Sequence, residues 1–425
     1  MSKGKQLGKP DSNRLSTDIE ALSRIVDDTK DGWTRRSFTA KYDQGRSWLE
    51  ERMREAGLTV RIDEASNLIG TLIGTDPKLP SIMIGSHTDT VNGGGRFDGI
   101  IGVLGGIEVV RMLKESDIRL HHTLEVVDFT AEEPSEFGIS TIGSRGMVGC
   151  LSEEMLERTD PDGRTLREAI SSLGGRPEQL KHSSRLAGDV ALYLEIHIEQ
   201  GPVLEQVGAT LGVVTGIVGI HRHRVTITGQ PNHAGTTPMD MRYDALAGFC
   251  EMGLAFERQC RMKYDTEAVG TIGRLRNNPN ASNVIPGHVD FDLEIRSLDT
   301  EVSQAIYQAF EAEAQRIASE RGLTVRLERL SQSDAIQVSD DVKRLLLDAC
   351  SEVAPVIELP SGAGHDANQL ASIAPIGMLF VPSVKGRSHC PEEWTELTHI
   401  AAGVEALTRA TYAFDAFAGL SEKGE

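Results

Sequence analysis

The chain has 425 residues, more than one hydrophobic core usually holds, so two domains or one large domain with an insertion are expected. Hydrophobic residues make up 39% and charged residues 25%, as in ordinary globular proteins, and 44 Lys and Arg against 63 Asp and Glu leave a net charge of −19. That charge repels nucleic acid and anionic membranes, which argues against both as partners and suits a cytoplasmic enzyme acting on small molecules.

The opening stretch, MSKGKQLGKPDSNR, lacks the apolar core of a secretory signal. Helical periodicity near 13–28 and 43–56 precedes short apolar runs at 58–63, 68–73 and 81–86, which read as strands. The last of these runs into I-G-S-H-T-D-T-V-N-G-G-G-R-F-D, residues 84–98. A Walker loop would end in Gly-Lys-Ser/Thr; this one ends in Gly-Arg-Phe-Asp, and no G-x-G-x-x-G is present. Alone, the glycines suit a plain turn into a small-residue helix at 99–114. Together, His87, Asp89 and Asp98 also suit a metal: an imidazole ligand, a carboxylate to orient its other nitrogen, and a carboxylate ligand. The longest apolar run, Gly99–Val110, is broken by Glu108 and is too short to span a bilayer.

A strand at 123–130 leads into D-F-T-A-E-E-P-S-E-F-G, residues 128–138. Glu132 and Glu133 could form a solvated acidic turn. In a shared site, one would bind metal while its uncoordinated neighbour takes a proton from water. Strands alternating with helices indicate an α/β unit with a mainly parallel sheet, whose ligands gather beyond the carboxyl ends of the strands. L-Y-L-E-I-H-I-E-Q-G, residues 192–201, puts His197 on an alternating strand, where a lone His is more often a core residue than a ligand.

From about Gly216 the rhythm changes. A strand at 217–228, a helix at 241–260, strands at 268–275 and 287–297, a helix at 300–320 and a strand at 323–330 give a ferredoxin-like β-α-β-β-α-β order. His221 and His223 share one strand face, but the neighbouring Arg222 and Arg224 argue against a cation there. After about 331 the first rhythm resumes through S-G-A-G-H-D-A-N (361–368) and G-R-S-H-C-P-E-E (386–393) to a helix at 396–417. The expected organisation is a catalytic domain of residues 1–215 and 332–425, interrupted by a smaller α+β domain at 216–331. His389 beside Cys390 does not make a cysteine nucleophile, since neighbouring side chains point apart and no activating pair is indicated. The five cysteines show no paired spacing and are expected as free thiols.

Taken jointly, GSHTDTVNGGGRFDG, FTAEEPSEFG, EIHIEQGP, PNHAGTTPM with Arg242 and Asp244, NVIPGHVDFDLEIR, GAGHDA and SHCPEE resemble the M20 metallopeptidase-like amidohydrolases. The resemblance is to their hydantoinase/carbamoylase branch, which holds N-carbamoyl-L-amino acid hydrolases, β-ureidopropionases and allantoate amidohydrolases. The stretches keep the family's order from about residue 84 to 393.

The resemblance implies two divalent cations, zinc or else manganese, cobalt or nickel. His87, Asp98 and His197 would hold one, and Asp98, Glu133 and His389 the other, with Asp98 bridging. Asp89 would orient His87, and Glu132 would be the general base. The inserted segment resembles the family's dimerisation, or lid, domain, which implies a homodimer with His233 stabilising the oxyanion in the partner's site. Asn283 and Arg296 match the pair that grips the substrate's α-carboxylate, a task suited to the bidentate guanidinium. Gln200 and His365 match positions that line the pocket.

Two departures bear on the substrate. Glu136 stands where many relatives carry Arg in E-E-G-S-R-F, and Lys385-Gly386-Arg387 brings two positive charges where apolar residues are common. The implied reaction is hydrolysis of the ureido or amide C–N bond of a small carboxylate. An N-carbamoyl-L-amino acid, giving amino acid, CO2 and ammonia, is preferred over the substrates of allantoate amidohydrolase, β-ureidopropionase or an N-acyl amino acid hydrolase. The alternative of another class, a metal-dependent binding protein without catalysis, should lack Glu132, Asp98 or His233; all three are present.

Overall fold

The computed structural model describes residues 7–262 and 268–421. The chain divides into two compact units, one of Met1–Thr215, Val338–Leu359 and Gly364–Glu425, the other of Gly216–Gln337 and Pro360–Ala363.

In the first unit, strands Thr59–Ile62, Leu68–Leu72, Leu124–Phe129, Ser81–His87, Val190–Ile198, Ile376–Val381 and Leu211–Ile217 lie side by side in that order. The four from Leu124–Phe129 to Ile376–Val381 run parallel, and the flanking ones are antiparallel. A parallel sheet covered on both faces needs apolar side chains on both, and Ser81–His87, Leu124–Phe129 and Ile376–Val381 are buried at every residue. Val190–Ile198 is likewise buried throughout except at Ala191, so His197 does not sit on the alternating strand expected of it. Helix Ile100–Glu115 is apolar almost all round and packs between this sheet and helix Leu397–Ser421.

The first helix, capped by Asp11, ends at Ser23 and not near 28. The buried guanidinium of Arg35 packs against this end. Its Nη1 donates to the carbonyls of Leu22 (2.9 Å), in the last turn, and Ile25 (3.0 Å), just beyond it.

The second unit has strands Gly219–Thr228, Ala268–Asn278, His288–Ser297 and Thr324–Ser333 with helices Ala245–Cys260 and Thr300–Arg321. The chain order is β-α-β-β-α-β, and the sheet runs fourth, first, third, second strand, antiparallel throughout. Alternate residues of His288–Ser297 are buried, and one sheet face packs with both helices around Val225, Phe291, Ile306 and Phe310. The first long helix starts at Ala245 because the Asp244 side chain caps it, accepting from Leu246 and Ala247 N–H.

Arg222 and Arg224 lie on the other sheet face, paired with Glu294 and Asp292, whereas His221 and His223 are buried. The flanking arginines therefore do not stand beside the two imidazoles, as the sequence alone suggests. No helix among the described residues is long and apolar enough to cross a membrane, and all five cysteines are free.

Candidate metal centre

Three parallel strands of the first unit end at one place. Ser81–His87 delivers His87, Val190–Ile198 delivers His197, and Leu124–Phe129 leads through Thr130-Ala131 to Glu132 and Glu133. This is the carboxyl edge where such sheets bind ligands. Asp98 returns to the same place because the chain turns at Gly99. That residue has φ +69°, and any Cβ there would lie 2.4 Å from His87 Nε2, so only glycine fits between the ring and the helix start. The fifth group, His389, comes from the SHCPEE loop.

Asp98 stands at the centre of the cluster. Its Oδ1 is 3.1 Å from His197 Nε2 and its Oδ2 is 3.0 Å from His389 Nε2, which is also 3.2 Å from Glu133 Oε1. His87 Nε2 lies 3.7 Å from Glu132 Oε2. Ligand atoms of His87, Asp98 and His197 fall within 4.8 Å of one another, as do those of Asp98, Glu133 and His389. Asp98 belongs to both groups.

A cation fits this donor set. His197 Nδ1 is hydrogen-bonded to the Ile198 carbonyl (2.9 Å) and His87 Nδ1 to the Asp89 carbonyl (3.0 Å), so each neutral ring carries its proton on Nδ1. The Nε2 lone pairs are then left facing inward. His197 Nε2 is buried, makes no hydrogen bond and faces an Asp98 oxygen, an opposition of lone pairs that a cation between them removes. A third group, Glu195, His197 and His365, lies deeper, but Glu195 already accepts from Ser86 Oγ (2.7 Å) and Tyr193 Oη (2.8 Å).

The protein's own groups set an uneven electrostatic field. In the metal-free chain a proton on the imidazoles takes the place of a cation: burial alone would raise the Asp98 carboxyl, but His197 and His389 so protonated hold it well below the usual range. Burial pushes Glu132 well above the usual range, the charges of Glu133 and Asp366 adding to it against the pull of His87. Hydrogen bonds to Asp98 and Glu133 lift His389 to about 11. A field that holds a proton so firmly on His389 also attracts a divalent cation.

The Asp89 carboxylate stands 3.6 Å from His87 Nδ1, too far for a hydrogen bond. That ring nitrogen bonds Asp89's backbone carbonyl, and the carboxylate instead accepts the N–H groups of Glu132 (3.1 Å) and Glu133 (3.2 Å). Gln200 touches the ligand set itself, with Nε2 3.1–3.2 Å from both Asp98 oxygens and 3.3 Å from His389 Nε2. His365 is buried edge-on against the His197 ring, with centroids 4.7 Å apart, and burial keeps its ring well below the usual histidine range.

Neither sequence departure enters the cluster. Glu136 pairs with Arg36 (3.2 Å), which also donates to the Pro134 and Thr90 carbonyls and straps the Glu132–Glu133 loop from outside. Lys385 and Arg387 are exposed, and Arg387 faces Glu392 at 3.5 Å. Sequence reasoning missed Asp366, which accepts from Ser144 Oγ (2.5 Å), and the buried Glu393. Their signals were the one acidic residue of GAGHDA and the second glutamate of SHCPEE.

In the second unit, His233 lies on a two-residue strand opposite Val284. Its Nδ1 accepts from Gly235 N–H (3.1 Å) and Thr236 N–H (3.2 Å), so the neutral ring carries its proton on Nε2 and can donate it. Arg242 clasps this turn through the Ala234 and Thr237 carbonyls. Asn283 adjoins it, its backbone carbonyl accepting from Ala234 N–H (3.0 Å). Arg296 lies elsewhere. It faces Ile220 at one end of the strand whose other end, His288, faces Thr228 and leads back to Asn283. Eight residues of strand separate His288 from Arg296 by roughly 26 Å, so one chain's Asn283 and Arg296 do not converge on one carboxylate.

Residues 83–413 match peptidase family M20/M25/M40. Over 395 residues the chain is 42% identical to the N-carbamoyl-L-amino acid amidohydrolase of Geobacillus stearothermophilus, covering 93% of this chain and 96% of that protein. Over 403 residues it is 34% identical to the allantoate amidohydrolase of Bacillus subtilis, covering 94% and 97%. An amidase of the hydantoinase/carbamoylase family from Burkholderia multivorans has a crystal structure similar to this one with a TM-score of 0.89 at 34% identity, over 95% of this chain and 98% of that one.

Proposed function

The chain belongs to peptidase family M20/M25/M40, in its hydantoinase/carbamoylase branch, and from that premise we propose that it hydrolyses N-carbamoyl-L-amino acids to amino acid, CO2 and ammonia. The observation that carries the reading is the single carboxylate of Asp98 shared by two imidazole and carboxylate ligand groups. Two divalent cations held there, zinc or else manganese, cobalt or nickel, would polarise the ureido carbonyl and acidify the attacking water.

The chain's residues supply the remaining steps. Glu132, uncoordinated, takes the proton of the attacking water on its carboxylate. Burial raises its proton affinity, which suits a group that must hold this proton and then deliver it to the departing nitrogen. Asp89 fixes Glu132 and Glu133 together through their backbone N–H groups. Gln200 and His365 line the same pocket.

Arg296 binds the substrate's α-carboxylate. Its Nε donates to Glu294 and its Nη1 to the Gly362 carbonyl, which orients the guanidinium and leaves three of its five N–H groups for the ligand. His233 donates from Nε2 to the oxyanion. The separation of the His233–Asn283 tip from Arg296 supports a homodimer in which Arg296 serves its own chain's site while His233 and Asn283 serve the partner's. The second unit is then the dimerisation, or lid, domain. Five free cysteines and a net charge of −19 support a cytoplasmic setting.

Relatives that act on allantoate make that compound the second candidate. A panel of N-carbamoyl-L- and D-amino acids, N-acyl amino acids, β-ureidopropionate and allantoate, with ammonia and amine measured separately, tests the reading. Equal yields of ammonia and amine from the N-carbamoyl-L compounds, with the D forms idle, are expected. A higher kcat/KM for allantoate would transfer the assignment to it.

A further inference from the structure

Glu393 is a buried carboxylate beside the ligand cluster with no part in the chemistry described above. Its side chain is 2% exposed. Oε1 accepts from two consecutive backbone N–H groups, those of Phe97 (3.0 Å) and Asp98 (3.1 Å), and Oε2 accepts from Ser388 Oγ (3.0 Å). With both oxygens engaged, Glu393 is occupied as an acceptor and belongs to neither group of ligand atoms around Asp98.

We infer that Glu393 is the positioning residue of the Asp98 carboxylate, holding the Phe97–Asp98 backbone so that each Asp98 oxygen meets a different ligand group. Three further contacts support this. Gly95 leaves the path for the carboxylate, since a Cβ there would lie 2.0 Å from Oε1 and 2.5 Å from Glu393 Cβ. The Arg96 guanidinium lies 4.7 Å from the ring centroids of both Trp33 and Trp394, so the residues next to Gly95 and Glu393 are also held together. Ser388, bonded to Glu393, is 3.3 Å from Asp98 Oδ2 and immediately precedes His389. The device repeats the one at Asp89, where a carboxylate likewise takes two consecutive N–H groups to place Glu132 and Glu133. The pair also gives the glycine run a second purpose, because its last member admits a side chain 298 positions later in the chain.

The inference rests on the reading of His87, Asp98, Glu133, His197 and His389 as metal ligands, and the test separates the two. Co2+ is titrated into chelator-stripped full-length protein, with its visible d–d bands and its affinity by chelator competition as readouts. Failure of the wild type to bind Co2+ would overturn the metal reading itself. Given wild-type binding, Glu393→Ala is expected to weaken Co2+ affinity about 10- to 100-fold and to alter the bands, as loss of a group orienting a ligand does. Gly95→Ala should reproduce this by displacing the carboxylate, and the double variant should be little worse than either single one. Glu393→Gln keeps an oxygen for the two N–H groups and should retain the wild-type spectrum. A folded Glu393→Ala chain with wild-type affinity and spectrum would overturn the inference. Should that chain not fold, Glu393→Asp, one methylene too short to span Gly95, decides: altered bands support the inference, and wild-type bands and affinity overturn it.

Discussion

Glu132 and Glu133 have the same side chain and adjacent positions, yet the structure gives them different surroundings. Glu133 Oε1 meets the His389 ring at 3.2 Å, while Glu132 is turned towards His87 and burial raises its carboxyl above the usual glutamate range. If Glu132 is the base, Glu132→Gln should bind the same metal complement as wild type and lose about 10²–10⁴ or more in kcat. Metal analysis beside steady-state rates checks this, and near-normal turnover in the metal-replete variant would remove Glu132 from the chemistry. The five ligand candidates were legible because motif matching identifies residue types at fixed places. The partner of Asp89 was not legible. A carboxylate two residues beyond a histidine looks like its orienting group, and only coordinates show that the backbone carbonyl does that work.

Among the elements, strand Gly219–Thr228 shows how one strand holds two chemistries apart. Its odd-numbered residues from 219 to 227 are buried, and its arginines pair across the opposite face. His223 stacks on Tyr307 with centroids 3.9 Å apart, and burial, helped by the charges of His221 and Arg329, lowers its ring to about 4. An unfolded histidine titrates near 6.5, so between about 6.5 and 4 the unfolded chain binds a proton that the folded chain refuses. His223 therefore costs no stability above about pH 6.5. As pH falls through that window it destabilises the second unit by up to about 1.4 kcal/mol per pH unit. His223→Phe keeps a ring against Tyr307 and removes the titration. Urea unfolding from pH 7 to 5 should show the wild type losing stability faster than the variant, and parallel losses would clear His223 of the effect. The element order of this unit was readable from alternating apolar residues. The early end of the first helix was not, because the contacts that Arg35 makes on either side of that end come from a residue beyond the helix.

For the whole molecule, if Arg296 serves its own chain's site and His233 its partner's, the roughly 26 Å between Arg296 and the end of the strand leading to Asn283 sets which variants should complement one another. Glu132→Ala and His233→Ala should each be nearly inactive. Random assortment of the two makes about half the dimers mixed, each with one intact site of two, so co-expression should restore roughly a quarter of wild-type activity. Asn283 adjoins His233, so Asn283→Ala mixed with Glu132→Ala should recover in the same way. Arg296→Ala mixed with Glu132→Ala leaves every site defective and should recover nothing. No recovery with His233→Ala despite confirmed heterodimers would place His233 in its own chain's site or outside the reaction. Recovery with Arg296→Ala would mean that Arg296 also crosses the interface.

The sequence by itself determined the reaction class, the mainly parallel α/β sheet and the residue types of the metal cluster. These depend on apolar periodicity and on short motifs whose members lie close together in the chain. Tertiary structure alone decided what holds the cluster in place. Asp98 meets Glu393 across 295 positions, Thr130 meets Arg46 across 84, and Asn283 parts from Arg296 although they are only 13 positions apart. Hydrogen-bond partners are set by where strands end and turns return, and local composition carries no record of that distance.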